Sequence, residues 1–428
     1  MHKSYYFCNF ADICRMMRVE IIDNPDHFPQ FEPQNVFQTK EYMRLFEHEK
    51  GTKVVLFAVY SKCIMHNAQC TISCDTREQR SSLQLSSKAR INNEVVTPHF
   101  IAKGSKTFGS SFYRQRLKDL RFLTPHSSLL LLLPLTIHRY YRHLPGKFAS
   151  YAVAWREPWR NPEISDIKAQ EAFAFLSQAI EKYCRPRALY LEYRHFSEDN
   201  IYHDILINCP PKLEKKRLIK SKCKLSTFNS QLFIANGSKT VGSTFKLFPW
   251  YNIYRKFDVG ADVTKQMNKT KQRQLRQSLA AGVQIVHNPT DEQIAEWYTL
   301  LQRLYRRIHR PLPSCQLFLR LNQSSIGKLI LITHQGKVIS GSAMLVFKRN
   351  NSHVVYEYYR ASTPDKLQGI YPSVVATWQE LQYAADQGAQ FDFMGAGPQN
   401  KPYGVRDFKL TFGGELTKEY RYRKYLLF

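Results

Sequence analysis

The second half of the chain carries the clearer pattern of apolar and polar positions. Apolar residues recur at helical spacing over 262–281 and over 290–308, which predicts two consecutive helices. Thr290 and Gln293 have the spacing of a capping box, so the second helix is expected to begin there. The pattern then predicts antiparallel strands over 329–334, 338–348 and 353–362, a helix over 373–387 and a strand over 390–394.

The first half combines the same kinds of element less regularly. Its pattern predicts a helix over 38–49, strands over 54–60 and 151–155, a helix over 167–183 and a strand over 188–193. Because strands and helices alternate in both halves, we expect an α/β fold with mixed sheets.

Two polar stretches, about 63–128 and 212–246, lack this periodicity. They share a thirteen-residue segment, FIAKGSKTFGSSF at 100–112 and FIANGSKTVGSTF at 233–245, which is identical at ten positions. A solenoid would repeat at a fixed short period, so one distant copy indicates two related insertions. The GSKT sequence lacks the G-K-[ST] spacing of a phosphate-binding loop, which argues against nucleotide binding there.

The remaining sequence, roughly 330 residues, is long enough for two domains. We expect an N-terminal domain over 17–210 that contains the insertion at about 63–128, and a C-terminal domain over 247–428. A basic insertion or linker over 211–246 would join them, and the first sixteen residues would be a loose extension.

The net charge of +27 suits an anionic partner, but its distribution weakens that inference. The two polar stretches contribute +14 of the +27, so about half of the basic excess lies outside the predicted domains. One specific basic feature remains, on the helix predicted over 262–281. Lys265, Lys269, Arg273 and Arg276 fall on one face of that helix, opposite its apolar stripe.

No segment has the composition of a membrane span or of a signal peptide. The longest uninterrupted apolar run is 129–133, far short of the roughly 20 residues that a span requires. We therefore expect a cytoplasmic protein, or one that is peripheral at the inner face of the membrane. Cys63, Cys70 and Cys74 lie near His66 without the spacing of zinc ligands, so no metal site is expected.

Several segments of the chain resemble the bacterial FemAB-like transferases. The resemblance is carried by YEYYRAS at 356–362, YPSVVATWQELQYAADQGAQFDFMGAG at 371–397 and YGVRDFKLTFGGE at 403–415. NKTKQRQLRQSLAAGVQI at 268–285 is similar to the basic helix of that family, and FQTKEYMRLFE at 37–47 and LYLEYRHF at 189–196 resemble its first domain. The two polar stretches fall outside the resemblance.

This resemblance implies two tandem GNAT-like (acetyltransferase-type) domains and acyl transfer to an amine. Known FemAB-like proteins move an amino acid from aminoacyl-tRNA to a peptide amine of a cell-wall precursor, and other relatives are expected to modify surface polysaccharides. The implied acceptor is therefore a phosphate-bearing glycan or a lipid-linked precursor. The donor would be aminoacyl-tRNA, whose acceptor end the protein would contact, or acyl-CoA, and no tightly bound cofactor is expected.

Acyl transfer to an amine requires a proton acceptor and a group that stabilises the carbonyl oxyanion. Glu357 and Asp392 lie on the two predicted strands that flank the implied cleft, and either carboxylate could accept the proton. Tyr403 could donate to the oxyanion or protonate the leaving group. A carboxylate on a strand is also often a structural hydrogen-bond acceptor, and that alternative stays open for both acids.

The candidate binding residues are basic or allow close approach of the backbone. Lys366 and Gly369 lie in the loop before the helix at 373–387, whose amino end attracts phosphate or an oxyanion. Arg406 and Lys409 are candidates for clamping phosphate, as is the basic helix face. Two alternatives remain, namely a non-enzymatic RNA-binding protein and a relative that its insertions have inactivated.

Overall fold

A computed structural model describes residues 17–61, 128–139, 148–208, 245–349, 352–365 and 367–426. Most of the two predicted insertions, the cluster of Cys63, His66, Cys70 and Cys74, and Lys366 lie outside the described residues. The described residues of 17–60 and 129–426 belong to one compact unit. The expected α/β fold with a mixed sheet is confirmed, but the boundaries of the two domains stay a prediction.

Thirteen strands of the described chain join into one sheet. In chain order they are β1 (Met17–Ile22), β2 (Thr52–Ser61), β3 (Leu129–Arg139), β4 (Ser150–Ala154), β5 (Trp159–Arg160), β6 (Tyr190–Ser197), β7 (Lys246–Lys256), β8 (Gln284–Val286), β9 (Gly327–His334), β10 (Lys337–Arg349), β11 (Ser352–Ser362), β12 (Gln390–Asp392) and β13 (Glu415–Tyr425).

Eight α-helices cover this sheet in the described part of the chain. They are α1 (Lys40–Leu45), α2 (Asp166–Cys184), α3 (His203–Asn208), α4 (Lys269–Ala280), α5 (Asp291–Arg307), α6 (Cys315–Gln323), α7 (Pro372–Asp386) and α8 (Gly404–Leu410). The capping box predicted for Thr290 and Gln293 is present at the start of α5.

The order of the strands shows two halves of the same design. It reads β1-β2-β3-β4-β6-β13-β7-β12-β11-β10-β9-β8, with β5 beside β3. Each half contains antiparallel strands and one pair of parallel strands, and a crossover helix connects the two strands of that pair. That unit is β4-α2-β6 in the first half and β11-α7-β12 in the second. The two halves meet at β13, which is antiparallel to both β6 and β7.

Alternating side chains of the strands bury apolar surface on both faces of the sheet. In the second half, Trp297 of α5 and Phe318 of α6 pack with Leu329 and Leu331 of β9. The intervening β9 residues Ile330 and Ile332 belong to the core on the opposite face, which α7 covers with Val375 and Leu381. In the first half, α2 contributes Phe173, Leu176 and Ile180 to a core with β2 and β3.

The single helix predicted over 262–281 is wrong, because two elements occupy this stretch. A 3-10 turn covers Val263–Gln266, and Met267 then adopts an extended conformation. Asn268 caps α4 by accepting a hydrogen bond from the Thr270 N–H. Arg255 donates to the carbonyl of Val263 and so fixes the turn from the neighbouring strand. Lys265 therefore lies on the 3-10 turn and not on the basic helix.

Candidate functional site

A cleft of about 630 Å³ lies where the parallel strands of the second half separate. β11 and β12 pair only from Val354 with Gln390 to Tyr356 with Asp392. The next residues, Glu357 and Phe393, both line the cleft. Met394 follows with a φ of 53° and turns the chain away from β11. Residues of β3, β4, β6 and β13 complete the wall on the side of the first half.

Lys409 of α8 bridges the gap between the separated strands. Its side chain is buried, and its Nζ donates to the carbonyl oxygens of Phe393 at 2.6 Å and of Gly395 at 3.1 Å. The third partner is Oε1 of Glu357, 3.3 Å away. An ammonium group has three protons, and these three acceptors account for all of them. Burial lowers the pKa of Lys409, while the charge of Glu357 opposes that shift.

The two carboxylate oxygens of Glu357 differ, because one contacts cationic side chains and the other has no hydrogen-bond partner among the described residues. Oε1 lies 3.3 Å from Lys409 and 3.5 Å from Nη2 of Arg360. Oε2 is buried and has no hydrogen-bond partner among the described residues. Since Glu357 lines the cleft and is held through Oε1 alone, Oε2 has the lone pairs needed to accept a proton there.

Arg360 links Glu357 to a second buried carboxylate. Its Nη1 lies 3.2 Å from Glu380 of α7 and also donates to Thr377. Burial raises the pKa of Glu380, and the charge of Glu357 adds to this shift, although Arg360 opposes it. Arg360 is therefore shared between two acids, and it orients Glu357 from behind the cleft.

Asp392 is held in a different place from Glu357. It is fully buried and does not line the cleft. Its carboxylate accepts hydrogen bonds from Arg156, from Asn252 at 2.8 Å and from the Met394 N–H at 2.7 Å. These partners come from both halves of the sheet. The structure thus places Asp392 at the seam of the sheet, where its carboxylate is bound by these partners and does not line the cleft.

Tyr403 and Arg406 of the α8 segment also lie outside the lining of the cleft. Tyr403 precedes α8 and is partly exposed. Arg406 donates to the carbonyl oxygens of Pro398 and Lys401, and its guanidinium stacks over Tyr251. These contacts occupy Arg406 with its own loop. Of the four candidates from residues 392–409, only Lys409 lines the cleft.

The basic face predicted on the helix at 262–281 is exposed and separate from the cleft. Lys269, Arg273 and Arg276 are solvent-exposed on α4, and Lys265 is exposed on the preceding 3-10 turn. None of the four lines the cleft. Gly369 is exposed in the loop before α7 with a φ of 70°, a value that favours glycine. Their roles in binding stay predictions.

The wall of the cleft on the side of the first half is basic, a feature that the sequence analysis did not predict. Arg139 of β3, Arg194 of β6 and Arg421 of β13 line it together with Arg310 and Lys50. With Lys409, six cationic residues therefore face one acid, Glu357. In the sequence, Arg194 and Arg421 lie in polar, aromatic segments, where an arginine is more often exposed than buried.

Comparison with known proteins gives distant structural similarity only. No protein-family model matches the chain, and no curated protein matches it. A FemX structure is 11% identical, with a TM-score of 0.43, covering 71% of this chain and 86% of that one. A tandem GNAT protein from the clavulanic acid biosynthesis pathway is 9% identical, with a TM-score of 0.44, covering 96% and 99%. L-PGS from Bacillus licheniformis is 10% identical, with a TM-score of 0.40, covering 69% and 81%.

Similarity at this level does not assign the chain to a family, so the chemistry must be inferred from the residues of the cleft. Within the described ranges, no cluster of three or more histidine, cysteine or acidic residues is arranged to hold a metal ion. No helix in the same ranges is long and apolar enough to span a membrane.

Proposed function

We propose that the protein transfers an acyl or aminoacyl group to an amine, with Glu357 as the proton acceptor. The observation that carries this proposal is the buried Oε2 of Glu357, which lines a cleft of about 630 Å³ and has no partner among the described residues. A carboxylate in this arrangement is suited to general base catalysis because its acceptor oxygen is fixed before the substrate arrives.

In the proposed reaction, the amine nitrogen attacks the carbonyl carbon of the donor and forms a C–N bond. The C–O bond of an aminoacyl ester, or the C–S bond of a thioester, breaks. Glu357 takes the proton that the amine loses, and the departing oxygen or sulfur is protonated in turn. Lys409 and Arg360 are positioning residues in this scheme, because they hold Oε1 and leave Oε2 directed to the reaction.

The six cationic residues that line the cleft support an anionic substrate and a developing oxyanion. The sequence resemblance described above supports a cell-envelope precursor as the acceptor, from peptidoglycan or from a surface polysaccharide. Aminoacyl-tRNA and acyl-CoA are the two proposed donors. The exposed basic face of α4 lies outside the cleft and supports aminoacyl-tRNA, because a surface of this kind suits the phosphates of RNA.

The proposal is tested by mass spectrometry of envelope precursors in a strain that lacks the gene. We expect the strain to lack one acyl or aminoacyl mass, which the wild-type gene restores and Glu357→Gln does not. Glu163→Gln is the matched control because Glu163 is an exposed glutamate on another part of the surface. Full restoration by a folded Glu357→Gln variant would exclude Glu357 as the proton acceptor. An unchanged precursor profile in the deletion strain would exclude the proposed class of acceptor.

A further inference from the structure

Arg421 lies in the wall of the cleft, and the charges of Glu192 and Glu419 act on it without direct contact. It makes no hydrogen bond or ion pair through its side chain with any described residue, and its Nε is buried. An arginine carries five N–H donors and is rarely buried unless they are paired. Arg421 therefore presents unmet hydrogen-bonding capacity next to the space that a substrate would occupy.

The orientation of the Arg421 guanidinium is fixed even though no described carboxylate contacts it. The guanidinium lies over the ring of Trp250, with its carbon 3.8 Å from the ring centroid. This stacking restrains the guanidinium plane and leaves the N–H groups at its edge available. Gly395 provides the space, because a Cβ there would come within 3.3 Å of both Arg421 Nη2 and Trp250 Nε1. The arginine is thus held in place before any ligand binds.

The acids closest to Arg421 along the sheet already have partners. Glu192 binds Arg194 through Oε1 and Arg423 through Oε2. Glu419 accepts hydrogen bonds from His195 at 2.6 Å and from Tyr254 at 2.5 Å. The charges of both carboxylates favour the charged form of Arg421, but neither makes a hydrogen bond or an ion pair with it.

Arg194 adds a second positive charge to the same wall. Its Nε binds Glu192, and its guanidinium lies over Trp155 at 5.0 Å, but its Nη groups make no hydrogen bond with a described residue. Burial lowers the pKa of Arg421 to about 9, and the nearby charge of Arg194 contributes to this shift. Two adjacent arginines whose Nη groups make no hydrogen bond with a described residue favour a bound anion at this wall.

We propose that Arg421 and Arg194 bind an oxyanion of the substrate, a carboxylate or a phosphate, at this wall of the cleft. A carboxylate and a phosphate can each accept two parallel N–H hydrogen bonds from one guanidinium group. The ligand feature they share is therefore a pair of anionic oxygens. The assignment of this anion to a substrate rests on the proposed function. The binding of the anion itself does not, and it can be measured without any transfer reaction.

The test uses thermal unfolding of the purified full-length protein in buffer without phosphate, at constant ionic strength. Inorganic phosphate and pyrophosphate form one titration series, and acetate and citrate form the other. We expect one series to raise the Tm of the wild-type protein, because a ligand that binds only the folded state stabilises it. A response to phosphates alone would indicate a phosphorylated substrate, and a response to carboxylates alone would indicate a carboxylate-bearing one.

Arg421→Met should weaken the response to the anion by about tenfold or more in affinity. Without anions its Tm should equal or exceed that of the wild type, because it removes a charge that burial disfavours and that makes no hydrogen bond or ion pair with a described residue. Arg303→Met is the matched control, since Arg303 is exposed on α5 and does not line the cleft. Arg421→Lys retains the charge but not the fork, and a weaker response is expected from it too.

An unchanged anion response in Arg421→Met would overturn this proposal, as would a wild-type protein that responds to neither series. If the Met variant fails to fold, equal affinities of Arg421→Lys and the wild type would also overturn it. Glu357→Gln should keep the anion response. A folded Glu357→Gln variant that transfers normally would therefore exclude Glu357 as the proton acceptor and leave the anion site standing.

Discussion

Lys409 contacts Glu357 in the middle of β11 and two carbonyl groups just after β12, and these contacts use every proton of its ammonium group. For this reason it is better suited to positioning Glu357 than to the predicted role of a phosphate clamp. An exposed lysine on a helix has N–H donors available for a ligand. The three donors of Lys409 are already bound to acceptors of the protein. Arg421 is the opposite case, because its side chain has no acceptor among the described residues and its Nε is buried.

Replacing Lys409 by methionine should lower the free energy of unfolding by about 2–3 kcal/mol, because two carbonyls and Oε1 of Glu357 lose a buried donor. Urea denaturation of the two proteins measures this difference. Transfer should fall as well, through kcat more than KM, because Glu357 remains in the cleft but is no longer fixed. Lys337→Met is a control at an exposed position. A loss of stability below about 0.5 kcal/mol would contradict the central role given to this contact.

Periodicity located most helices and strands because their buried faces repeat at regular intervals. The helix predicted over 373–387 and the three strands between 329 and 362 match α7, β9, β10 and β11 closely. The pattern failed at 262–281, where Arg255 and the extended Met267 interrupt a continuous apolar stripe. The periodicity also missed β7 and β13, because their sequences are charged and rich in tyrosine. A carboxylate such as Glu419 can be buried there because its hydrogen-bond partners come from distant parts of the chain.

The site was only partly predictable for the same reason. Glu357 could be identified because it lies on a clearly patterned strand beside the parallel pair. Asp392 looked equivalent on the next strand, yet Arg156 reaches it from the other half of the chain. The ion pair of Asp392 with Arg156 forms between distant strands of the sheet. Whether Arg421 finds a partner is likewise decided by residues that are distant in the chain. Local sequence patterns contain no information about such contacts.

The basic face of α4 gives a prediction that concerns a whole helix. Arg273→Ala combined with Arg276→Ala should weaken binding of tRNA by about tenfold at low salt and reduce the salt dependence of binding. Filter binding at several salt concentrations measures both effects. Arg306→Ala with Arg307→Ala on α5 is the matched control, because those two arginines are also exposed. Identical binding by both double variants and the wild type would show that α4 has no specific role with RNA.

The two halves of the sheet are joined by a buried polar cluster in addition to strand pairing. Arg156 and His195 of the first half meet Asp392 and Tyr254 of the second around Glu419 of β13. Burial raises the pKa of Glu419, but His195 and Arg156 outweigh this effect and hold it at about 2. Glu419 therefore stays ionised in the folded protein well below the pH at which it would be protonated in the unfolded chain.

A depressed pKa of this kind stabilises the fold above the ordinary value of about 4.5. This contribution is lost as the pH falls through the range from about 4.5 to 2. Glu419→Gln should be less stable than the wild type at pH 7, and the difference should shrink toward pH 2. Unfolding in urea at a series of pH values measures it. A difference that does not change with pH would show that the charge of Glu419 is not what stabilises the seam.

The position of β13 also has a consequence for how the protein is made. His195 of β6 and Glu419 of β13 are 224 positions apart, yet they are neighbours in the sheet. During synthesis from the amino end, β6 and β7 emerge long before the strand that separates them. Until then each has an unsatisfied edge that can pair with another chain. We therefore expect the native sheet to be completed late in synthesis, when 415–425 insert between β6 and β7.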